Sequence, residues 1–279
     1  MTITRSETLH TLRVGDRGPK VAFCHGVFGQ AKNWMTVAKA LASGVDGPPY
    51  QSILIDMPNH GRSAWTDTMS YHRMADDLAA FLEPHAPLAL VGHSMGGKAA
   101  MNLALRYPHL IERLVVADMS PVAYQGVRQF NRLVHAMTTL DLDSLPDRRT
   151  AEERISADVS EHSVRQFLLQ NLHRVPHRNG LPPQWLWQPN LDLIANNLDV
   201  LAGWEEPDGD PFERPVLWIG GAKADYILPE YHDRMRQLFP RARLLMLKGV
   251  GHWVHSEAPE IFIPAVRRFL DQARALAMP

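Results

Sequence analysis

The chain has 279 residues, with 29 Lys and Arg against 30 Asp and Glu and a formal net charge of −1. Nearly balanced charge creates no field that attracts nucleic acid or anionic membranes, so we expect neither as a partner. The opening residues MTITRSETLH lack the apolar segment of an export signal, and no stretch is apolar enough for a membrane span. We therefore expect a cytoplasmic protein without a membrane span. The single cysteine, Cys24, excludes an intramolecular disulfide.

Short runs of β-branched and other apolar residues predict buried strands. They lie at residues 21–24, 53–55, 88–91, 114–117, 216–219 and 244–247. Segments with helical spacing of apolar residues lie between or after these runs, at residues 34–41, 74–82, 99–105 and 261–270. The alternation of strand and helix predicts an α/β fold with a doubly wound, mostly parallel sheet.

The alternation stops at residues 120–214, where no run is typical of a strand and three tryptophans occur. Residues 127–140 and 164–172 have amphipathic helical spacing, so we expect them to lie on an apolar surface. Ligands of doubly wound sheets bind outside the carboxyl ends of the strands. We therefore expect a core made of residues 1–119 and 215–279, with residues 120–214 as a helical cap or lid over the site.

A serine lies at a sharp turn between a predicted strand and a predicted helix. The strand at residues 88–91 is followed by Gly92-His93-Ser94-Met95-Gly96, and the helix begins after it. A G-x-S-x-G pattern between strand and helix is typical of a nucleophile elbow, in which small residues permit the turn and the hydroxyl is exposed. An ordinary turn serine is the alternative, but the setting favours Ser94 as a nucleophile.

A serine hydroxyl needs a base that accepts its proton. His252 lies near the end of the sequence, after the strand at residues 244–247, beside glycines that let its ring reach over the sheet. This position fits the chain order Ser, Asp, His. His255 and His93 are rivals, but we expect His255 to begin the final helix and His93 to pack between strand and helix.

Two aspartates are candidates for the acid that orients the imidazole and stabilises its charged form. Asp225 follows the strand at residues 216–219, and Asp118 follows the strand at residues 114–117. Both lie just beyond the carboxyl end of a strand, so either is able to serve. We prefer Asp225 and keep Asp118 as the alternative, with the other carboxylate in a structural role.

The oxyanion that forms during acyl transfer needs preorganised N–H donors. The backbone N–H of Met95 is one candidate, and Val27 or Phe28 in the loop His25-Gly26-Val27-Phe28-Gly29 provides the other. Aromatic side chains are candidates for the substrate pocket, with core packing as the alternative for each. They are Tyr124, Trp185, Trp187 and Trp253.

With these residues identified, the chain resembles the α/β-hydrolase superfamily, and more narrowly the small bacterial esterases and acyl-CoA thioesterases related to mitochondrial abhydrolase-domain proteins. The matching segments are residues 25–29, 92–98, 118–122, 204–205 and 251–255. The resemblance implies an α/β-hydrolase fold and ester or thioester hydrolysis. Members of the narrower group often lack an acid at the position of Asp225 and rely on the one that matches Asp118. This chain has both, so both stay open.

The sequence thus predicts a serine hydrolase that cleaves a small-molecule carboxylic ester or thioester, with a small to medium acyl group, through an acyl-enzyme on Ser94. We expect no cofactor and no metal. Lactone hydrolysis, carbon–carbon bond hydrolysis and cofactor-free peroxidation use the same residues and are alternatives. Halide displacement and epoxide opening are disfavoured because they use a carboxylate nucleophile. A non-catalytic ligand-binding protein on the same fold is the alternative of another class.

Overall fold

The structure, a computed structural model, describes residues 8–125, 128–175 and 184–275. Within these ranges, seven strands form one sheet in the order β1-β3-β2-β4-β5-β8-β9, and β6 and β7 form a separate antiparallel pair. The strands are β1 (Thr11–Val14), β2 (Lys20–Cys24), β3 (Gln51–Ile55), β4 (Leu88–His93), β5 (Ile111–Ala117), β6 (Leu172–Val175), β7 (Gln184–Trp187), β8 (Val216–Gly221) and β9 (Ala242–Leu247). From β3 to β9, neighbouring strands of the large sheet are parallel. The predicted mostly parallel sheet is confirmed.

Helices cover both faces of this sheet. In chain order they are α1 (Met35–Ala42), α2 (Tyr71–Leu82), α3 (Met95–Arg106), α4 (Arg128–Thr138), α5 (Arg148–Ile155), α6 (His162–Leu169), α7 (Leu191–Ala195), α8 (Leu198–Ala202), α9 (His232–Leu238), α10 (Val254–Glu257) and α11 (Pro259–Ala275). In the described ranges, no helix has the length and apolar character needed to cross a membrane.

Two apolar cores form because successive side chains of a strand point to opposite faces of the sheet. In β4, Leu88 and Leu90 pack in one core with residues of α2 and α3. Ala89 and Val91 of the same strand pack in the other core with residues of α1 and α11. Residues 88–91 of the strand are therefore all apolar, as is typical of a parallel strand covered on both faces.

The edge strand β1 is not among the predicted strands. It pairs antiparallel with β3, and its side chains are only partly buried. Its sequence, TLRV, includes an arginine and is short, so it lacks the continuous apolar run that indicates a fully buried strand.

Residues 120–214, which we call the cap segment, lie between β5 and β8. The predicted helices at residues 127–140 and 164–172 correspond to α4 and α6, although residue 127 itself lies outside the described ranges. The expectation that this segment lacks strands is wrong, since β6 and β7 form a hairpin-like pair. The two tryptophans in the β7 sequence QWLW favour a strand, because aromatic side chains pack well on a pleated surface.

Candidate active site

Ser94 occupies the turn between β4 and α3, with φ 53° and ψ −121°. A positive φ is uncommon for a residue with a side chain. Glycines on both sides permit the turn: a Cβ at Gly92 would lie 2.3 Å from the Gly96 carbonyl oxygen, and a Cβ at Gly96 would lie 2.5 Å from the Cys24 carbonyl oxygen. The backbone therefore has the form of the predicted elbow, and the close approach of strand and helix requires both glycines.

His252 lies after β9 and contacts a carboxylate from a neighbouring strand. Its Nδ1 lies 2.7 Å from Oδ2 of Asp118, which follows β5 and is 0% exposed. The other carboxylate oxygen, Oδ1, accepts the backbone N–H of Gly221 at 2.8 Å. When Asp118 is ionised, Nδ1 must donate to the carboxylate, and Nε2 of His252 then carries the free lone pair. This tautomer is the one that accepts a proton from a nucleophile.

The residue beside His252 is Asp118, and our preference for Asp225 is corrected accordingly. Asp118 comes directly after β5, which is the sheet neighbour of β8. Asp225 lies in the loop beyond β8, and its side chain is exposed. A buried carboxylate needs fixed donors, whereas an exposed one is satisfied by water. The positions of the two residues in the fold therefore explain their different partners.

The two rival histidines lie against each other, with 4.8 Å between their ring centroids. His93 is buried, and its Nε2 lies 2.9 Å from the carbonyl oxygen of His252, so its ring supports the backbone that carries His252. His255 belongs to α10 rather than to the final helix, and its ring stacks on Trp34 with 4.4 Å between centroids. The carboxylate of Asp118 contacts His252.

Burial sets the protonation of the paired groups. It lowers the pKa of His252 because the charged imidazolium would lose its hydration, while the carboxylate of Glu257 acts in the opposite direction. Burial also raises the pKa of Asp118, against the N–H of Gly221, which stabilises the carboxylate. A neutral His252 ring in the resting state is the form required of a general base.

The glycine loop at residues 25–29 is fixed from the core and from the cap segment. The Gly26 carbonyl oxygen accepts the N–H of Gly29 at 2.9 Å. Phe28 has φ 60°, and its carbonyl oxygen accepts Nδ2 of Asn171 at 2.7 Å. Because a trans peptide is planar, the N–H of Val27 points away from the Gly26 carbonyl oxygen. Asn171 of the cap segment thus helps to hold the loop that carries Val27 and Phe28, the two candidates for the second oxyanion donor.

A small cavity lies beside Ser94, and we call it the α8 cavity. Val27 and Met95 line it from the core, and Leu198 and Leu201 of α8 line it from the cap segment. Met95 is the first residue of α3, where backbone N–H groups have no partner inside the helix. The α8 cavity therefore brings the serine, two candidate oxyanion donors and apolar walls together.

A second small cavity is lined by Ser94, His252, Phe28 and Trp253, and we call it the His252 cavity. Tyr124 lines the α8 cavity. Trp253 and Tyr124, two of the four aromatic candidates, therefore border the space around the serine. Within the described residues, no group of three or more His, Cys, Asp or Glu side chains is arranged to hold a metal ion.

Trp185 and Trp187, the other two aromatic candidates, line neither of these two cavities. The indole Nε1 of Trp185 donates to the Leu145 carbonyl oxygen at 2.7 Å, and that of Trp187 donates to the Met137 carbonyl oxygen at 3.0 Å. Both rings come from β7 and pack against the larger core. They join parts of the cap segment to one another.

Three residues of the site are not among the predicted ones. Tyr226 lines both cavities, and its ring lies 4.1 Å from that of His252. Its position in the loop beyond β8 is the signal that could have identified it. Asn171 holds the glycine loop, and Lys98 contacts the cap segment from α3. Neither of these two has a pattern in the sequence that indicates its long-range contact.

Similarity to known proteins identifies the family of this chain. The sequence profile described as alpha/beta hydrolase fold matches residues 19–259. The chain belongs to the α/β-hydrolase family. This α/β hydrolase is 37% identical over 258 residues to sn-1-specific diacylglycerol lipase ABHD11 of Mus musculus, covering 90% of this chain and 81% of that protein. It is 31% identical over 253 residues to Esterase YbfF of Escherichia coli (strain K12), covering 90% of this chain and 92% of that protein.

Among solved structures, this α/β hydrolase is similar to one described as a marine microorganism esterase. The TM-score is 0.88 at 31% sequence identity, with 95% of this chain and 100% of that chain covered. The family and the expected resemblance to esterases are confirmed. The chain is a hydrolytic enzyme of the esterase and lipase type, so the non-catalytic alternative is set aside.

The role of Trp185 can be tested by Trp185→Phe. This change leaves the Leu145 carbonyl oxygen without its buried donor, and we expect the free energy of unfolding to fall by about 1–3 kcal/mol. Urea denaturation measures this loss. We expect kcat/KM for p-nitrophenyl butyrate to stay at the parent value at a temperature where both proteins are folded. A fall in kcat/KM without a loss of stability would return Trp185 to the substrate pocket.

Proposed function

We propose that this α/β hydrolase cleaves carboxylic esters through an acyl-enzyme on Ser94, with His252 as general base and Asp118 as the acid that orients it. The observation that carries the proposal is the 2.7 Å contact between Asp118 and His252, in an arrangement where His252 and Ser94 line one cavity. An aspartate on Nδ1 holds the imidazole with Nε2 available for the serine proton.

The proposed reaction has two steps of acyl transfer. Ser94 Oγ attacks the ester carbonyl while His252 Nε2 takes its proton, and the resulting oxyanion accepts the N–H groups of Met95 and Val27. His252 then gives the proton to the leaving alcohol. A water molecule, deprotonated by His252, attacks the acyl-enzyme carbonyl. The bond between the acyl carbon and Ser94 Oγ then breaks, His252 returns the proton to Oγ, and the carboxylic acid is released.

The substrate class follows from the two cavities. Apolar side chains, among them Leu198 and Leu201, line the α8 cavity, which suits an acyl chain of small to medium length. The His252 cavity lies beside the base that must protonate the leaving group, so it suits the alcohol part. A thioester needs the same groups at its carbonyl, and thioesters therefore stay within the proposal. Comparing acyl esters with acyl-CoA thioesters of the same chain length distinguishes the two classes.

Substitutions of the three proposed catalytic residues test this function directly. We expect Ser94→Ala to lower kcat for p-nitrophenyl butyrate by about 10⁶-fold, since the nucleophile is lost. Asp118→Asn should lower kcat by about 10⁴-fold because the imidazole takes the wrong tautomer. Asp225→Asn is the matched control and should keep the parent kcat. A large loss in Asp225→Asn with little effect of Asp118→Asn would reverse the assignment, and a nearly unchanged Ser94→Ala would refute the mechanism.

The acidic side of the pH profile provides a second test. His252 acts as a base only when neutral, so activity is present above its pKa in the folded protein and is lost as the pH falls through that pKa. Because burial lowers this pKa from the ordinary value of 6.5, we expect kcat/KM for an uncharged ester to reach half its maximum well below pH 6.5. Circular dichroism at each pH should verify that the protein is folded. A midpoint at or above the ordinary histidine value would contradict the expectation.

A further inference from the structure

Lys98 is a buried cation between the helix that follows the nucleophile and the cap segment. It lies in the first turn of α3, and its side chain is 0% exposed. Its Nζ donates to the carbonyl oxygen of Ala202 at 2.7 Å and to that of Gly203. These carbonyls belong to the C-terminal end of α8, so the ammonium group joins α3 to the cap segment.

Burying an ammonium group costs free energy unless other groups replace its water. Here the replacement comes from the end of a helix, where carbonyl oxygens lack partners within the helix and favour a cation. The rings of Tyr124 and Tyr71 add aromatic faces, with centroids 4.6 Å and 5.6 Å from Nζ. Burial lowers the pKa of Lys98 to about 7. An apolar side chain would fill this volume without the cost of burying an ammonium group. The role of the ammonium group therefore lies in its contact with the end of α8.

Other donors hold the same end of α8. The hydroxyl of Tyr71 donates to the Leu201 carbonyl oxygen at 2.7 Å. The backbone N–H of Tyr124 donates to the Ala202 carbonyl oxygen at 2.9 Å. Together with Lys98, these donors bind the consecutive carbonyls of residues 201–203. The last turn of α8 is therefore fixed against α2 and α3.

The end of α8 is also a wall of the cavity beside the nucleophile. Leu198, Leu201 and Ala202 line the α8 cavity together with Ser94. The last turn of α8 therefore forms one side of the space beside Ser94, opposite Val27 and Met95 of the core.

We propose that Lys98 is a positioning residue that restricts the enzyme to esters of short apolar acyl groups by tying α8 to α3. The inference rests on the proposed ester hydrolysis and on the assignment of the α8 cavity to the acyl chain. Without the ammonium group, the last carbonyls of α8 lose a donor and turn toward water. The wall then moves outward and the cavity accepts a longer chain.

The test measures kcat and KM for p-nitrophenyl acetate, butyrate, hexanoate and octanoate with the parent and with Lys98→Met. We expect KM for butyrate to rise, and the ratio of kcat/KM for octanoate to that for butyrate to rise by about tenfold or more, the effect of one methylene in an apolar pocket. A role in folding alone would lower the rates with all four esters by one common factor. An unchanged ratio would therefore overturn the proposal.

Two further variants complete the experiment. Lys39→Met removes an exposed lysine of α1 and should leave the ratio unchanged. Tyr71→Phe removes the donor to Leu201 and should shift the ratio in the same direction as Lys98→Met.

If Lys98→Met does not fold, an unchanged ratio in Tyr71→Phe overturns the proposal. If the parent hydrolyses none of these esters in a Ser94-dependent manner, the proposed function itself fails, and the inference fails with it.

Discussion

The buried contact between Asp118 and His252 is the interaction on which the rest of the site depends. The carboxylate follows β5, accepts the N–H of Gly221 at the end of β8, and meets a ring carried by the loop after β9. It therefore joins the ends of three neighbouring strands. Leaving a buried carboxylate without its donors costs free energy, so the loops that satisfy Asp118 are strongly constrained. The same contact positions the His252 ring.

The cap segment contacts the catalytic core on two sides of Ser94. On one side, Asn171 donates to the Phe28 carbonyl oxygen and so fixes the loop that carries a proposed oxyanion donor. On the other side, the carbonyl oxygen of Ala202 accepts the ammonium group of Lys98. Both contacts use polar groups that are buried, and each therefore needs its partner in place. The cap segment thus fixes both the glycine loop and the end of α8 against the core.

The elements that could be predicted are those with a local signal. The turn at Ser94 could be predicted because its glycines and its serine are adjacent in the sequence, and the loop of His252 because it directly follows a strand. The choice between Asp118 and Asp225 could not be made, since both follow strands that are neighbours in the sheet and only burial distinguishes them. Trp185 was assigned to the pocket for a similar reason, because its type indicates burial but not what it is buried against. The edge strand β1 lacked an apolar run, so no pattern marked it.

The most direct test of the central claim is a crystal structure of the protein after reaction with an alkyl fluorophosphonate. The account predicts phosphorus bonded to Ser94 Oγ, with the phosphonyl oxygen about 3 Å from the backbone nitrogens of Val27 and Met95. His252 Nδ1 should still donate to Asp118 in this adduct. A label on another residue, a phosphonyl oxygen turned away from both nitrogens, or a His252 ring separated from Asp118 would contradict the account.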